Sequence, residues 1–432
     1  MIDIQIVRDN PELVKKKAQQ KGYEVDTGKL LQLDGQKKDL QQQVESLRAE
    51  RNDLASSTKG QKPSEAIVQK GKDLKDRLAE LEDDLSKVEK LYSELINKFP
   101  NLPLGEIVPI GSSEDENKVI RTVGKKPDFD FKPKNHWEIA HEKGWLDKER
   151  AVKVAGSRFV YIKGDLARLE FALWQYGLDI ITNTEVIKNI VEDTKLKVSA
   201  KPFTFVIPPA VAKTAVFQAT GRLNKEEQTY KLEDEDLWLN ASAEHTLAPM
   251  YMNEILDEKD LPIRYTGYTT AFRREAGTYG KDTEGIFRLH QFNKLEMESF
   301  CNPDESFDEH LFMVAIEEYL MKSLKLPYQV IEKCTADIGF PNAKGVDINT
   351  WLPGQDKYRE THTADYITDF QARSMKTRFR REDGKVEFVH TNDATVFSER
   401  PLVAIIENYQ TKDGDVLIPE VLKKYMNERE KI

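Results

Sequence analysis

From Leu74 to Phe99 the residues Leu74, Leu78, Leu81, Leu85, Val88, Tyr92, Leu95 and Phe99 follow one another at steps that alternate four and three without a break. Such spacing places one apolar seam along an α-helix, and a seam that narrow is stable only against a partner helix. A partner lies just upstream. Leu30, Leu33, Leu40, Val44, Leu47 and Leu54 keep the same rhythm, interrupted at seam positions by Lys37 and Arg51. Between the two runs, residues 56–64 read SSTKGQKPS, a cluster of turn formers that ends in a serine suited to start a helix before Ile67. Two heptad helices joined by one short polar turn must lie antiparallel, so a helical hairpin is expected near the N-terminus. Arms of roughly 30–35 residues would project on the order of 45–50 Å at the α-helical rise. The competing reading of the same seam is a coiled coil that pairs two chains.

Proline ends the pattern. Pro100, Pro103 and Pro109 fall within KFPNLPLGEIVPIG, and none can continue a helix. The domain boundary is therefore expected here, giving residues 1–108 and 109–432. Charge divides along the same line. The first hundred residues hold 19 Lys and Arg against 19 Asp and Glu, so the net charge of −10 belongs to the rest of the chain. Within the hairpin, Arg48 to Arg77 contains eight basic and five acidic residues, or +3. An acidic protein with one locally basic stretch can still meet phosphate there, although a solvated helix face has the same composition.

Several classes are disfavoured. No apolar run approaches the roughly 20 residues that span a bilayer, and MIDIQIVRDN alternates apolar with polar residues, unlike a secretory leader. The two cysteines, Cys301 and Cys334, are far apart, which suggests neither a disulfide framework nor a thiolate zinc site. A cytoplasmic protein that does not engage a membrane is expected. There is also no G-x-G-x-x-G and no G-x-x-x-x-G-K-[ST], so a nucleotide would have to be bound by neither the Rossmann nor the P-loop device.

Beyond the prolines, a helical segment at Asp165 to Asn183 precedes short β-rich runs: PFTFVIPP, DLWLNASAE, RYTGYTTAFRRE, FRLHQFNKLEMESF, GVDINTWLP and LVAIIENYQ. Strands in consecutive pairs with helices between groups predict an α+β fold on an antiparallel sheet flanked by helices. Three clusters on these runs carry chemistry. In AFRREAGTYG, Arg273 and Glu275 share strand parity while Arg274 points the other way. The returning FRLHQFNKLEME brings Arg288, Lys294 and Glu296 on one parity. Such a hairpin can grip a polyphosphate and a cationic amine, or can simply be a cross-strand salt-bridge ladder. In YRETHTAD, Glu360 and Thr363 offer hard oxygen ligands for a cation bridging phosphates, unless Thr363 or Asp365 caps a helix. Finally, Arg400 precedes the apolar run PLVAII at the start of a buried helix or strand. Singly, none of these carries a function.

Together they resemble one family, the class II aminoacyl-tRNA synthetases, and within it seryl-tRNA synthetases of the bacterial and eukaryotic type. The resemblance runs nearly end to end. FTFVIPPAV, with Pro209, resembles motif 1; FRREAGTYGKDTEGIFRLHQFNKLE is similar to motif 2 over about 25 residues; VAIIENYQ after Arg400 resembles motif 3. The hairpin resembles the family's tRNA-binding arm. What this implies is a serine–tRNA ligase that activates L-serine with ATP to seryl-adenylate, releasing pyrophosphate, and passes the seryl group to tRNA(Ser), and to the selenocysteine tRNA where the organism has one, as a homodimer using Mg²⁺. Arg273, Arg274 and Glu275 correspond to ATP contacts, Arg273 at the α-phosphate, and Leu289 to a backbone contact with ATP. Glu360, Thr361, His362 and Thr363 correspond to the second ATP segment, Glu360 and Thr363 being the residues suited to the cation. Arg400 corresponds to the γ-phosphate arginine, so Arg273, Glu275 and Arg400 are the expected catalytic residues. Ser242, Ala243 and Glu244 stand where the family has Thr-Ala-Glu against serine, with the hydroxyl kept, and Glu296 is where serine's hydroxyl is read. One segment departs from the pattern: TNDATVFSER is a residue short, so Thr395 aligns with the serine contact from one side and Ala394 from the other. Thr395 is preferred, since it alone has a hydroxyl.

Two other classes compete. A carrier-protein ligase sharing the catalytic fold has no use for a long arm, and a non-catalytic coiled-coil adaptor has no use for both motif arginines and Glu296.

Overall fold

The computed structural model describes residues 1–57, 64–105, 107–223, 229–275, 282 and 284–432. Lys59 and Lys62 of the hairpin turn, and residues 276–281 of the AGTYGK loop, lie outside the described residues. The chain divides into two units, Met1–Leu102 and Pro103–Ile432. Pro103 and Leu104, which the sequence grouped with the hairpin, go with the second unit: Leu104 N donates to Ala343 O at 2.9 Å.

In the first unit, helices α1 (Ile4–Asp9) and α2 (Pro11–Gln20) are capped by Asp3 and Asn10, with Pro11 at the first helical position. The arms follow as α3 (Thr27–Ser57) and α4 (Glu65–Ile96), 31 and 32 residues long, which makes each about 45–50 Å. Ser64 caps α4, accepting from Ile67 N. Along the seam Val44 and Leu47 meet Leu74 and Leu78, flanked by half-buried Leu54, Leu81 and Leu85. Lys37, one of the two seam interruptions, lays its ammonium 4.7 Å from the Tyr92 ring centroid, so the break in the apolar pattern is filled by a cation–π contact. Exposed ion pairs Arg48–Glu82 (2.7 Å) and Lys70–Glu50 (2.9 Å) cross between the arms.

The second unit is built on an eight-stranded sheet. Its strands are β1 (Lys118–Val123), β2 (Thr204–Val206), β3 (Ile263–Phe272), β4 (Gln291–Cys301), β5 (Tyr328–Glu332), β6 (Lys344–Leu352), β7 (Lys357–Thr368) and β8 (His390–Ser398). They lie in the order β1-β5-β6-β7-β8-β4-β3-β2. All neighbours are antiparallel except β2 with β3. The fold is the expected α+β arrangement. Helices α5 (Gly164–Ile181), α6 (Ser306–Ser323) and α7 (Glu399–Asn408) cover one face, burying Leu173, Phe312, Ile316 and Leu402 against Leu295, Met297 and Phe397. Gly177 lets α5 approach closely, since a Cβ there would stand 2.8 Å from Phe397.

The run LVAIIENYQ, expected as a strand, is helical: residues 402–408 belong to α7. A run of apolar residues buried on every side looks the same in either conformation. The decision comes from its N-terminus, where Ser398 accepts from Arg400 N and Glu399 and Pro401 occupy the first turn.

Candidate active site

The sheet face away from the helices presents the polar residues. Across the centre, Thr395 on β8 is paired with Glu296 on β4, and a bulge between Thr395 and Phe397 shifts the register beyond it. On β7 another bulge, opposite Ile348 and Asn349, leaves Thr361 as an extra residue. It turns Glu360, Thr361 and Thr363 to one cleft and sends His362 inward. The cleft is lined by Arg273, Glu275, Phe287, Arg288, Leu289, Phe292, Lys294, Glu360, Thr361, Thr363, Thr395 and Arg400, together with Ile286, Ser398 and Glu399. Thr363 and Asp365 lie in mid-strand, so neither caps a helix.

Arg273 continues the β3–β4 pairing through its backbone, donating to His290 O at 2.9 Å. Its guanidinium donates to Ala241 O at 3.1 Å and lies over Phe292, 5.1 Å from the centroid. Glu275, at a left-handed φ of 51°, turns back to accept from Arg288 at 2.6 Å. The salt-bridge reading of this hairpin is thus realised, but inside a cleft. Across it Arg400 pairs with Glu360 at 2.7 Å and lies 5.0 Å from the Phe287 ring, whose other neighbour is Arg359 at 3.9 Å. Burial opposes ionisation of Glu360, but Arg400, Lys333 and Arg273 outweigh it and hold the carboxyl down to about 2.

Behind this cleft Lys294 pairs with Glu296, which also accepts from Ser242 Oγ at 2.8 Å. Burial, with Arg273 nearby, lowers the lysine to about 8. Glu244 is held by Arg222 at 2.7 Å and His245 at 3.3 Å. Burial opposes its charge, and the Arg222 guanidinium overcomes that, leaving the carboxyl well below the usual range. Ala243 is buried beside it. Thr395 lines the cleft, whereas Ala394 packs in the core between Ala364 and Met297.

Two residues of the expected ATP set stand elsewhere. Arg274 is exposed beside Tyr230, on the far side of the backbone from Arg273, as its parity implied. His362 is buried, bonded to Val396 O at 3.1 Å and Thr361 Oγ1 at 3.0 Å, and burial lowers it to about 3. Sequence reasoning also passed over residues that the fold brings in. Lys294 was visible only as a neighbour of Glu296 with the same parity. Phe287 and Phe292 gave no signal, and Arg222 reaches Glu244 from a segment with no motif of its own.

For a divalent cation the donor set fits. Thr363 Oγ1 is buried in the cleft wall with the Asp347 carboxyl as its neighbour, and Glu360, which lines the same cleft, is ionised. Among the described residues no group of three or more His, Cys, Asp or Glu could hold a metal. A cation here would therefore draw its other ligands from phosphate oxygens and water, as Mg²⁺ commonly does.

Residues 1–103 match the seryl-tRNA synthetase N-terminal domain, and residues 229–409 match the tRNA synthetase class II core domain (G, H, P, S and T). The chain is 40% identical to the serine–tRNA ligase of Syntrophotalea carbinolica over 438 aligned positions, covering 100% of both chains. The chain belongs to the serine–tRNA ligase family. The serine–tRNA ligase of Thermodesulfovibrio yellowstonii is also 40% identical, over 99% of each chain. Among solved structures, the seryl-tRNA synthetase of Pyrococcus horikoshii, complexed with ATP, superposes with a TM-score of 0.86 at 36% identity, covering 100% of this chain and 99% of that one. The cytoplasmic serine–tRNA ligase of Naegleria fowleri, in complex with AMP, gives 0.82 at 27% identity, covering 100% and 98%. As a serine–tRNA ligase family member this chain is an aminoacyl-tRNA synthetase, and its fold is that of the class II core with an N-terminal helical hairpin.

Proposed function

We propose that the protein activates L-serine with ATP in the cleft between Arg273 and Arg400 and transfers it to the 3′ end of tRNA(Ser). The observation that carries this reading is the meeting of Arg273, Arg400, Lys294 and Glu360 in one cleft, with the Ser242–Glu296 pair buried behind it. In the first step a serine carboxylate oxygen attacks the α-phosphorus, and the bond to the bridging oxygen breaks to release pyrophosphate. Arg273, at the α-phosphate, stabilises charge that grows on the non-bridging oxygens, and Arg400 neutralises the far end of the leaving group. Mg²⁺ held at Glu360 and Thr363 would neutralise further phosphate charge when bound. In this reading Phe292 and the backbone at Leu289, both in the cleft lining, hold the base. Glu244 takes the ammonium, and Glu296 with Thr395 takes the hydroxyl. The test is ATP–pyrophosphate exchange with each of the twenty amino acids: serine alone should support it, and exchange with another amino acid instead would overturn the reading.

The same reading includes a homodimer, formed through the segment resembling motif 1, where Phe205 and Ile207 are exposed. It includes the selenocysteine tRNA as a second acceptor where one exists, and work in the cytoplasm. No described helix is long and apolar enough to cross a membrane.

Serine selectivity follows from unpaired groups. Alanine would leave the Thr395 hydroxyl without serine's hydroxyl and Glu296 with only its Lys294 and Ser242 contacts, a loss that a buried polar site penalises. Thr395→Val keeps the shape and deletes the hydroxyl, so the serine KM should rise by an amount worth about 1–3 kcal/mol. Steady-state exchange kinetics measure it. Changes at Ala394 should instead lower thermal stability, because that methyl is in the core.

Lys294 gives a pH dependence of definite sign. Its pKa of about 8 in the ligand-free protein means the ammonium is lost as pH rises through that value. A neutral amine cannot pair with phosphate or carboxylate, so kcat/KM for ATP should fall above about pH 8, since that ratio reports the free enzyme. Bound phosphate favours the charged form, so kcat should hold to higher pH than kcat/KM. Lys294→Arg, which does not titrate in this range, should flatten the alkaline limb.

A further inference from the structure

The stretch Ile286 to Leu289 lines the cleft in irregular backbone, outside the β3–β4 ladder. A fixed nucleotide-facing wall there needs an anchor from elsewhere. Ile286 N–H donates to Nε2 of His136 at 3.3 Å, 150 residues away in sequence. Nδ1 of the same ring lies 3.0 Å from Glu407 Oε1 on α7, and His136 N donates to that oxygen at 3.1 Å. A carboxylate on Nδ1 fixes the proton there and leaves the Nε2 lone pair free to accept from Ile286, so the pair sets the tautomer the contact requires. Both side chains are almost fully buried, at 4% and 0% exposure. The approach is close: a Cβ on Gly285, whose φ is +73°, would fall 2.0 Å from His136 Nε2.

Glu407 reaches the cleft by a second route. Its Oε2 accepts from Gly354 N at 2.9 Å and its Oε1 from Gln355 Nε2 at 3.3 Å. Gln355 Oε1 in turn accepts from Arg359 at 2.9 Å, and Arg359 lies over Phe287 and donates to Asp282 at 2.6 and 3.0 Å. One buried carboxylate therefore steadies both the backbone before Phe287 and the guanidinium stacked on its ring.

We propose that His136, oriented by Glu407, is a positioning residue for ATP: it pins segment 286–289 so that the wall of the cleft is formed before nucleotide arrives. This rests on the reading that the cleft binds ATP. It touches no substrate, so its signature is selective. Losing the pin makes ATP pay for ordering the wall, while the serine contacts around Glu296 are untouched.

The discriminating variant is His136→Asn. Its amide can still donate to Glu407 but is too short to accept from Ile286. Serine-dependent pyrophosphate exchange should show the ATP KM raised about tenfold, the size expected for one lost buried hydrogen bond. Serine KM, and kcat at saturating ATP, should stay within about twofold. His136→Gln, whose longer arm can place an oxygen near the Nε2 position, should recover most of the loss. Gly285→Ala attacks the same contact from the other side, and should raise the ATP KM without adding to the effect of His136→Asn. This variant decides the matter if His136→Asn does not fold. A folded variant with unchanged ATP KM, or with ATP and serine KM raised together, overturns the proposal. Wild-type protein without serine-dependent exchange would instead overturn the reading of the cleft, so the two failures are distinguishable.

Discussion

Arg273→Ala should abolish seryl-adenylate formation and leave a folded protein. The guanidinium is positioned by one carbonyl, Ala241 O, and one ring, Phe292, and its remaining surface faces the cleft. Removing it unmakes no core contact. Burial disfavours its charge, Glu275 partly offsets that and Arg400 adds to it. The protein therefore maintains a cation where cations repel, an arrangement that a polyanionic ligand relieves. Much of that relief comes as negative charge grows in the transition state, so the loss should appear in kcat as well as in kcat/KM. Deleting one preorganised donor of this kind costs about 3–4 kcal/mol in well-studied sites, and a full charge more. Exchange should fall by on the order of a thousandfold or beyond. Arg273→Lys should restore only part of it, because an ammonium keeps the charge but not the planar fork. The check is serine-dependent pyrophosphate exchange beside a thermal melt. Near-normal exchange in a folded Arg273→Ala protein would falsify the assignment.

Why the arginines could be found from sequence while their support could not is a matter of range. The heptads of the hairpin and the period-two strands are local patterns, so the arms and most sheet strands were legible. Arg273, Glu275, Lys294 and Glu296 sit on one β-hairpin, where spacing alone brings them together. The Thr361 bulge breaks the parity rule on β7, and no signal in YRETHTAD announces it. Its consequence is that Glu360, whose parity matches the core residue His362, reaches the cleft together with Thr361 and Thr363. Residues 402–408 failed for the opposite reason. A helix buried on all sides has no polar face to reveal its period. His136 and Arg222 were out of reach because their partners, Glu407 and Glu244, are fixed only by the tertiary fold.

Shortening the arm should separate transfer from activation. The sequence alone would place the cut at Thr27 to Leu95. The structure gives a better one, because Leu30 and Leu33 are buried at the root and Arg8 pairs with Asp34 at 2.8 Å. Cutting there would strip the helices that precede the arm. Further out, Gln41 donates to Glu89 at 3.4 Å, so α3 and α4 are side by side at that level. Replacing residues 42–88 with a short Gly-Ser linker therefore keeps the root. It removes the self-contained seam of Val44, Leu47, Leu74 and Leu78, which forms a cluster separate from the catalytic core. Serine-dependent exchange needs only the cleft and should continue at a similar rate. Aminoacylation of tRNA should collapse, because the +3 stretch from Arg48 to Arg77 is what would position phosphates, and such contacts place a nucleic acid rather than do chemistry. The pairs Arg48–Glu82 and Lys70–Glu50 do not stand in the way. They are exposed and worth little in water, so phosphate can replace the carboxylates. A milder variant tests the charge directly. Changing Lys59, Lys62, Lys70 and Lys72 to Gln should weaken tRNA binding and flatten its dependence on salt, because fewer counterions are released. Exchange should be unaffected. The deciding measurement is aminoacylation and pyrophosphate exchange run side by side on the shortened protein. Full aminoacylation without the outer arm would remove its tRNA-binding role and return the hairpin to the reading its seam also allows, a coiled coil that pairs two chains.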